Sequence, residues 1–235
     1  MKKRSKRYLE AAKAVDVEAT YPLSEAISKL KAFPQPKFDS TVTLSFNLGV
    51  DPRKSDQMIR GSVALPHGTG KNVRVIVFAT GDAAKAATDA GAEKVGLEDL
   101  IKEVQGGFLD FDVAIATPDA MAQVRKIARV LGPRGLMPNP KTGTVTDDTA
   151  NAVNEVKAGR VDYKVDKVGN IAAAIGKSSF SADQISDNAQ ALIDSVVKAK
   201  PSSTKGIYVK SVTLASSMNP GVRLDQTAYS PNQAV

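Results

Sequence analysis

The sequence predicts a mixed fold, in which a discontinuous two-layer α+β domain is interrupted by an inserted three-layer α/β domain. Three observations predict it. Strands near both ends of the chain alternate apolar and polar residues, whereas strands in the middle are apolar throughout. The excess of basic residues also lies outside the middle stretch. Alternation is typical of a strand with one buried face, and continuous apolar character is typical of a strand covered on both faces.

The first outer stretch begins with two predicted helices. Residues 5–14 form a basic, helix-forming segment, and after Pro22 the apolar residues recur at helical spacing. Residues 41–48 alternate apolar and polar side chains, which predicts a half-buried strand. Residues 57–65 indicate a second strand more weakly.

The middle stretch alternates short apolar strands with helices. The predicted elements are, in order, a strand at 73–79, a helix at 82–90, a short extended element at 94–95, a helix at 97–104, a strand at 113–116 and helices at 118–130 and 147–157. Strands that are apolar on both faces and are separated by helices imply a parallel sheet with helices on both sides.

The second outer stretch returns to the alternating pattern. The predicted elements are strands at 161–165 and 171–175 around a turn at 168–170, a helix at 182–198 and a strand at 207–214. Residues 226–235 carry no pattern, so we expect a mobile tail there.

The distribution of charge supports this division. Residues 67–159 contain 11 basic and 12 acidic residues, net −1, and the rest of the chain contains 21 basic and 13 acidic residues, net +8. The chain crosses between the two parts near the turn-rich residues 66–70 and again near Gly159, and we expect these crossings to form a hinge. The predicted division is an outer domain of residues 1–66 and 160–225, an inserted domain of residues 67–159 and a flexible tail of residues 226–235.

Composition excludes much of the common catalytic repertoire. The 235 residues include no cysteine and a single histidine, so neither a thiolate site nor a multi-histidine metal cluster can form. We expect no catalytic residues, no metal and no cofactor. The chain has no apolar run of membrane-spanning length and no signal-peptide pattern, so we expect a cytoplasmic protein without a membrane partner. The net charge of +7 fits a polyanionic partner.

Three segments that contain glycine are candidates for contact with phosphates. In residues 67–71 the lysine is followed by asparagine, so the spacing of a phosphate-binding loop is not met and a hinge is the preferred interpretation. Residues 80–84 follow a strand but place an acid where a pyrophosphate would lie. Residues 131–143 predict an irregular loop, which is either a structural connection or a rigid support for cations that meet phosphates.

Three other segments combine cations, hydroxyls or an aromatic ring. Lys37 and Phe38 precede a strand and could meet a phosphate and a base, although Phe38 could equally belong to the core. Residues 176–180 could face an anion before a helix, although capping by Ser181 explains them equally well. Residues 216–221 form a turn of small residues that either approaches a sugar–phosphate edge or is only a turn. The basic N-terminus is either a solvated arm or a source of sequence-independent attraction.

The order of these segments is itself distinctive. They include Lys37-Phe38-Asp39, residues 49–57, 65–71, 116–119 and 131–141, and Gly176-Lys177. Over essentially residues 1–225 the chain resembles the ribosomal protein L one family, and the Gly-Pro-Arg-Gly-Leu-Met-Pro-Asn-Pro sequence within 131–141 is its most specific motif.

The resemblance implies a Rossmann-like inserted domain and a set of site residues. The implied hinge residues are Pro66, His67, Gly68, Gly70 and Gly159. The implied RNA-binding residues of the outer domain are Lys37, Phe38, Thr41, Gly176, Lys177, Ser178, Ser217 and Met218. Secondary RNA contacts are implied for Arg134 and Lys141. Where the family usually has Met-Gly-Pro, this chain has Asn219, so the backbone must accommodate a side chain, and asparagine accepts left-handed conformations better than most residues.

The resemblance also implies partners. They are the large-subunit ribosomal RNA of the mobile stalk, the exit-site tRNA whose release the family assists, and the messenger RNA of its own operon, whose translation it represses; the free protein is expected to be a monomer. We expect recognition of RNA shape, with Lys37 and Lys177 neutralising phosphates. Two other classes remain open from the residues alone: a nucleotide-dependent enzyme built on the insert, and a binder of an acidic protein.

Overall fold

The computed structural model describes residues 4–16, 18–204 and 206–229, without the side chains of Lys141 and Ala228. The described residues form two compact units. The first combines Met1–Gly70 with Val161–Val235, and the second is Lys71–Arg160. The first unit contains antiparallel sheets and the second a parallel sheet flanked by helices, so the predicted mixed fold class is confirmed.

The regular elements follow the predicted order closely. They are α1 (Lys6–Lys13), α2 (Leu23–Ala32), β1 (Thr41–Leu48), β2 (Arg60–Ala64), β3 (Val75–Phe78), α3 (Gly81–Asp89), β4 (Lys94–Gly96), α4 (Glu98–Gln105), β5 (Val113–Ala116), α5 (Met121–Val124), α6 (Ala128–Leu131), α7 (Thr149–Ala158), β6 (Arg160–Lys164), β7 (Asn170–Lys177), α8 (Ala182–Lys198), β8 (Val209–Ser216) and β9 (Val222–Leu224). Short 3-10 helices lie at Ser55–Gln57, Arg125–Ile127, Gly132–Arg134, Pro140–Thr142 and Gln226–Tyr229.

The first unit is built on a four-stranded antiparallel sheet in the order β7-β1-β8-β9. Along β1 every second residue is buried, beginning with Val42 and ending with Leu48. That face packs against α2 and α8, whose apolar residues join the same core. The alternation in the sequence therefore corresponds to a two-layer arrangement, because only one face of the sheet is covered by helices.

Strands β2 and β6 form a separate two-stranded sheet. The turn after β6 is closed by the carboxylate of Asp166, which accepts hydrogen bonds from the backbone amides of Val168 and Asn170, both at 2.8 Å. Strand β7 then enters the larger sheet and pairs with β1. The predicted turn at 168–170 thus joins two different sheets.

The second unit has a parallel sheet in the order β4-β3-β5. Successive residues of β3 point to opposite faces and all are fully buried. Ile76 and Phe78 pack in one cluster with α4 and residues 120–131, and Val75 and Val77 pack in another with α3 and α7. Helices on both faces explain why the strand is apolar throughout.

Three features of the structure differ from what the sequence predicts. The helix predicted at 118–130 is broken into α5, a 3-10 turn and α6; the tighter turn aligns residues three apart, and Val124 and Ile127 are both buried. Strand β9 was not predicted, because a strand of three residues is too short to show a recognisable alternation of apolar and polar side chains. The tail expected to be mobile from 226 begins with a 3-10 helix that ends at Tyr229, whose ring packs on the core; residues 230–235 lie outside the described residues.

Candidate nucleic-acid interface

Residues far apart in the sequence meet at the first residues of β1. Thr41 pairs with Lys177 at the end of β7, and Val42 pairs with Ser216 at the end of β8. The loop before β1 and the segments that follow β7 and β8 are therefore brought to one edge of the sheet. We call this edge the strand-end surface, and it contains Lys37, Phe38, Thr41, Gly176, Lys177, Ser178, Ser217 and Met218.

Thr41 links the two neighbouring strands at this surface. The ammonium group of Lys177 donates to the Thr41 hydroxyl at 3.0 Å. The backbone amide and the hydroxyl of Ser217 donate to the Thr41 carbonyl oxygen at 3.1 and 3.4 Å. An ammonium group has three donors, so Lys177 is held in position while two donors remain for a phosphate.

Asp39 binds the segment that was expected to face an external anion. Its carboxylate accepts hydrogen bonds from the Ser178 hydroxyl at 2.8 Å, the Ser179 hydroxyl at 2.9 Å and the Ser179 amide at 3.1 Å. The hydrogen bond from Ser178 is the main reason why the pKa of Asp39 lies below its usual value. Ser181 caps α8 through a capping box with Gln184, as the alternative interpretation required. Direct RNA contact by Ser178 stays a prediction.

Two large apolar side chains point away from the core. Phe38 is 53% exposed, so the alternative that placed it in the core is wrong. Met218 is 67% exposed. Exposed phenylalanine and methionine on a cationic surface are suited to contacts with bases and riboses, because both side chains offer apolar area without needing a hydrogen-bond partner.

The turn after β8 places Met218 in a left-handed conformation, with φ of 66°. It is the one residue other than glycine with positive φ in the described part of the chain. The amide and side chain of Asn219 bind the carbonyl oxygen and hydroxyl of Ser216 at 3.1 and 3.0 Å. Asn219 therefore stabilises the turn through Ser216, and the left-handed residue of the turn is Met218.

Gly176 is needed because of its neighbour Phe180. A Cβ atom at Gly176 would lie 2.8 Å from the Phe180 ring, closer than carbon atoms approach in proteins. The same ring would lie 2.8 Å from a Cβ atom at Gly70. Any side chain at Gly176 would therefore require the Phe180 ring to move.

The sequence did not single out two residues at the strand-end surface. Asp39 was noted only as part of a motif, although a carboxylate beside several hydroxyls was a usable signal. Arg7 on α1 was counted only as part of a basic arm, but its guanidinium Nη2 lies 3.5 Å from the carbonyl oxygen of Met218. A local sequence pattern cannot reveal a contact between two residues that are 211 positions apart.

The predicted hinge residues have specific anchors in the first unit. The His67 amide donates to the Asn188 side chain at 3.0 Å, and that side chain donates to the carbonyl oxygens of Gly68 at 2.9 Å and Ile175 at 2.8 Å. Asn188 is fully buried. Pro66 precedes this anchored segment, and Gly70 follows it with φ of 69°.

The secondary candidates lie in the second unit. Gly159 ends α7 in a left-handed conformation, with φ of 107°. Arg134 is exposed at the end of a 3-10 helix. The segment that follows is ordered by hydrogen bonds between Asn139 and Thr144, one of 2.8 Å from the Asn139 amide to the Thr144 hydroxyl. The Lys141 side chain lies outside the described residues.

Among the described residues, no group of three or more histidine, cysteine, aspartate or glutamate residues is arranged to hold a metal ion. In that same part of the chain no helix is both long and apolar enough to cross a membrane.

Comparison with known proteins identifies relatives of this chain. The model of the family described as "Ribosomal protein L1p/L10e family" matches residues 30–220. The chain is similar to the large ribosomal subunit protein uL1 of Mycobacteroides abscessus, with 56% identity over 225 residues that cover 96% of each chain. It is also similar to the large ribosomal subunit protein uL1 of Corynebacterium glutamicum, with 55% identity over 96% of this chain and 95% of that protein. The prediction of a ribosomal protein instead of an enzyme is confirmed by these matches. The chain belongs to the ribosomal protein L1p/L10e family.

Proposed function

We propose that the protein is a structural constituent of the large ribosomal subunit that binds the ribosomal RNA of the mobile stalk through its strand-end surface. The relatives are named as proteins of the large ribosomal subunit, which supports the assignment of this protein to that subunit. The observation that carries the RNA contact is the convergence of Lys177, Thr41 and Ser217 on one edge of the sheet. Phe38 and Met218 stand exposed on the same surface.

The proposed recognition depends on shape more than on base sequence. Lys37 and Lys177 neutralise phosphates, while hydroxyls and backbone groups meet sugar edges. The internal hydrogen bonds to Asp39 hold the two loops in place before RNA arrives, which lowers the entropy lost on binding. Ser178 then acts in part by ordering the loop that precedes α8.

Charge supports a division of labour between the two units. Residues outside 67–159 have a net charge of +8, whereas residues 67–159 have a net charge of −1. We assign the main RNA-binding domain to the first unit and secondary contacts to Arg134 and Lys141 in the inserted domain. RNA affinity depends strongly on the number of phosphates neutralised, so the first unit supplies most of it.

Two further roles are proposed: assistance in tRNA release, which uses the hinge between the two units, and repression of translation, which uses the strand-end surface. Assistance in the release of exit-site tRNA requires movement, and we place the hinge at Gly70 and Gly159, because His67 and Gly68 are tied to α8. Repression of translation requires the messenger RNA of its own operon to present a structure similar to the stalk, so that one surface binds both RNAs.

A gel-shift comparison tests this proposal. The three RNAs are a stalk hairpin of the large-subunit ribosomal RNA, the corresponding operon messenger segment and a scrambled hairpin of equal length, each at two salt concentrations. We expect the first two to bind more tightly than the third. Affinity should fall with salt by about 0.7 to 0.9 in log–log slope for each phosphate contact. Equal binding of all three RNAs would contradict shape-specific recognition, and binding that does not change with salt would contradict the proposed phosphate contacts.

A further inference from the structure

Arg7 contacts the strand-end surface from the basic N-terminal helix α1. It lies in the first turn of α1, which Ser5 caps by accepting a hydrogen bond from the Tyr8 amide. The apolar residues Ala11 and Val15 are buried in the core of the first unit. These two anchors fix α1 on the body of the protein, so the position of Arg7 is defined.

The guanidinium group of Arg7 has unused hydrogen-bonding capacity. A guanidinium has five N–H donors, and Nη2 lies at 3.5 Å from the Met218 carbonyl oxygen, the outer limit of a hydrogen bond. The Nε atom is buried without a hydrogen-bond partner among the described residues. Nor does any carboxylate in the described part of the chain form an ion pair with Arg7. Because Nε is buried, the terminal Nη groups are the guanidinium donors that an incoming anion can reach.

The surroundings of Arg7 favour a polyanion. Lys6 and Arg4 are exposed beside it, and the guanidinium of Arg4 lies over the Tyr8 ring at 4.6 Å from its centre. On its other side Arg7 contacts the backbone of Met218, whose side chain is 67% exposed. An anion bound by Arg7 would therefore adjoin whatever Met218 contacts.

We propose that Arg7 is a further RNA-contacting residue, whose guanidinium binds a phosphate of the RNA next to the nucleotide that Met218 contacts. This inference rests on the proposed function, since it assigns a new residue to the same surface. Arginine suits this position because its planar fork can donate to a phosphate and keep its contact with the Met218 carbonyl oxygen. Helix α1 then forms a fixed wall of the RNA site.

A different role for Arg7 would be to hold the strained turn at Met218 without touching RNA. The two roles differ in their dependence on salt. Loss of a phosphate contact reduces the slope of log affinity against log salt, whereas loss of a positioning contact lowers affinity at every salt concentration equally.

The test uses the full-length chain with Arg7→Gln, Arg7→Lys and, as a matched control, Lys13→Gln. Lys13 also lies on α1 and loses the same charge, but it is exposed six residues further on, on a different face of the helix. Each variant binds the stalk hairpin and the scrambled hairpin over a range of salt concentrations, and circular dichroism checks the fold. We expect Arg7→Gln to weaken stalk binding about tenfold and to reduce the salt slope by about 0.7 to 0.9.

The remaining outcomes have distinct meanings. Arg7→Lys should keep the salt slope of the wild type, because the charge remains, and Lys13→Gln should stay within about twofold of its affinity. If wild type does not prefer the stalk hairpin, the proposed function is wrong. If wild type prefers it but Arg7→Gln has an unchanged slope or matches Lys13→Gln, the phosphate contact of Arg7 is overturned while the proposed function stands.

Discussion

The carboxylate of Asp39 accepts a hydrogen bond from the hydroxyl of Ser178 at 2.8 Å, and this bond joins segments 139 residues apart. The same carboxylate also binds the amide and the hydroxyl of Ser179. The loop before β1 and the loop before α8 are thereby ordered as one unit. The Asp39 carboxylate is bound by hydroxyl and amide groups, and among the described residues it forms no direct ion pair with Lys37 or Lys177.

Replacement of Asp39 by asparagine should lower both the stability of the fold at neutral pH and the affinity for stalk RNA. The hydrogen bond from Ser178 lowers the pKa of Asp39 in the folded protein. A lowered folded pKa means that the carboxylate stabilises the fold above the unfolded pKa of about 3.9, and that this stabilisation is lost as pH falls through the folded pKa. The difference in unfolding midpoint between wild type and Asp39→Asn should therefore be constant near neutral pH and shrink below about pH 4. Thermal unfolding followed by circular dichroism measures it.

Asp225 supplies a matched control for that change. Hydrogen bonds from Thr227 lower its pKa in the same way, but it follows β9, and it is not part of the strand-end surface. The difference in unfolding midpoint between wild type and Asp225→Asn should likewise shrink below about pH 4, but this variant should bind the stalk hairpin as wild type does. If both variants bind RNA as wild type does, the ordering role of Asp39 is rejected.

Met218→Glu should abolish stalk binding and leave the fold intact. The side chain is exposed, so the fold does not depend on it, whereas an added carboxylate would face phosphates. We expect a loss of about a hundredfold or more in a gel shift. Met58→Glu is the control, because Met58 is 51% exposed and lies outside the strand-end surface. Similar losses in both variants would show that added negative charge, and not this position, weakens binding.

Met218→Gly separates backbone from side chain at the same position. Glycine adopts φ of 66° without steric cost, although it gains entropy in the unfolded chain. The free energy of unfolding should stay within about 1 kcal/mol of wild type, since these effects oppose each other. Stalk affinity should still fall, because the exposed apolar side chain is gone. Urea unfolding and a gel shift test the two parts, and full RNA affinity would contradict a contact by the side chain.

Asn188→Ala should destabilise the first unit and release residues 67–68. The side chain is fully buried and bonded to three backbone groups, which alanine would leave without partners. We expect the free energy of unfolding to fall by about 3 kcal/mol in urea titrations. Gln190→Ala on the same helix removes an exposed bond to Asp194 and should cost less than about 0.5 kcal/mol. If Asn188→Ala lowers the free energy of unfolding no more than Gln190→Ala does, Asn188 does not anchor residues 67–68.

Removal of the second unit should leave most RNA affinity in place. The deletion runs from Lys71 to Arg160 and is closed by a short glycine–serine linker, so that His67 and Gly68 keep their bonds to Asn188. We expect stalk affinity within about tenfold of wild type, because only the secondary contacts are lost. Circular dichroism must first show a cooperative fold. A folded deletion variant that does not bind would overturn the division of labour between the units.

Local sequence patterns predicted most helices and strands, but they did not reveal which side chains in the loops face solvent. Helix α8 was predicted at its observed bounds, because its apolar residues recur regularly and Ser181 marks its start. Phe38 was ambiguous, because a single aromatic residue in a loop has no periodic neighbours that reveal its direction. The break between α5 and α6 was missed, because the apolar residues fit a continuous helix equally well.

Sequence patterns alone predict the strands with one buried face, the fully buried strands of the second unit, the uneven charge and the family. These properties depend on neighbouring residues or on motifs, so they can be seen in one stretch of chain. The contacts of Thr41 with Lys177 and Ser217, and of Arg7 with Met218, are visible only in the folded chain. Those contacts depend on strand order and register across more than a hundred residues, and strand register is set by packing of the whole core.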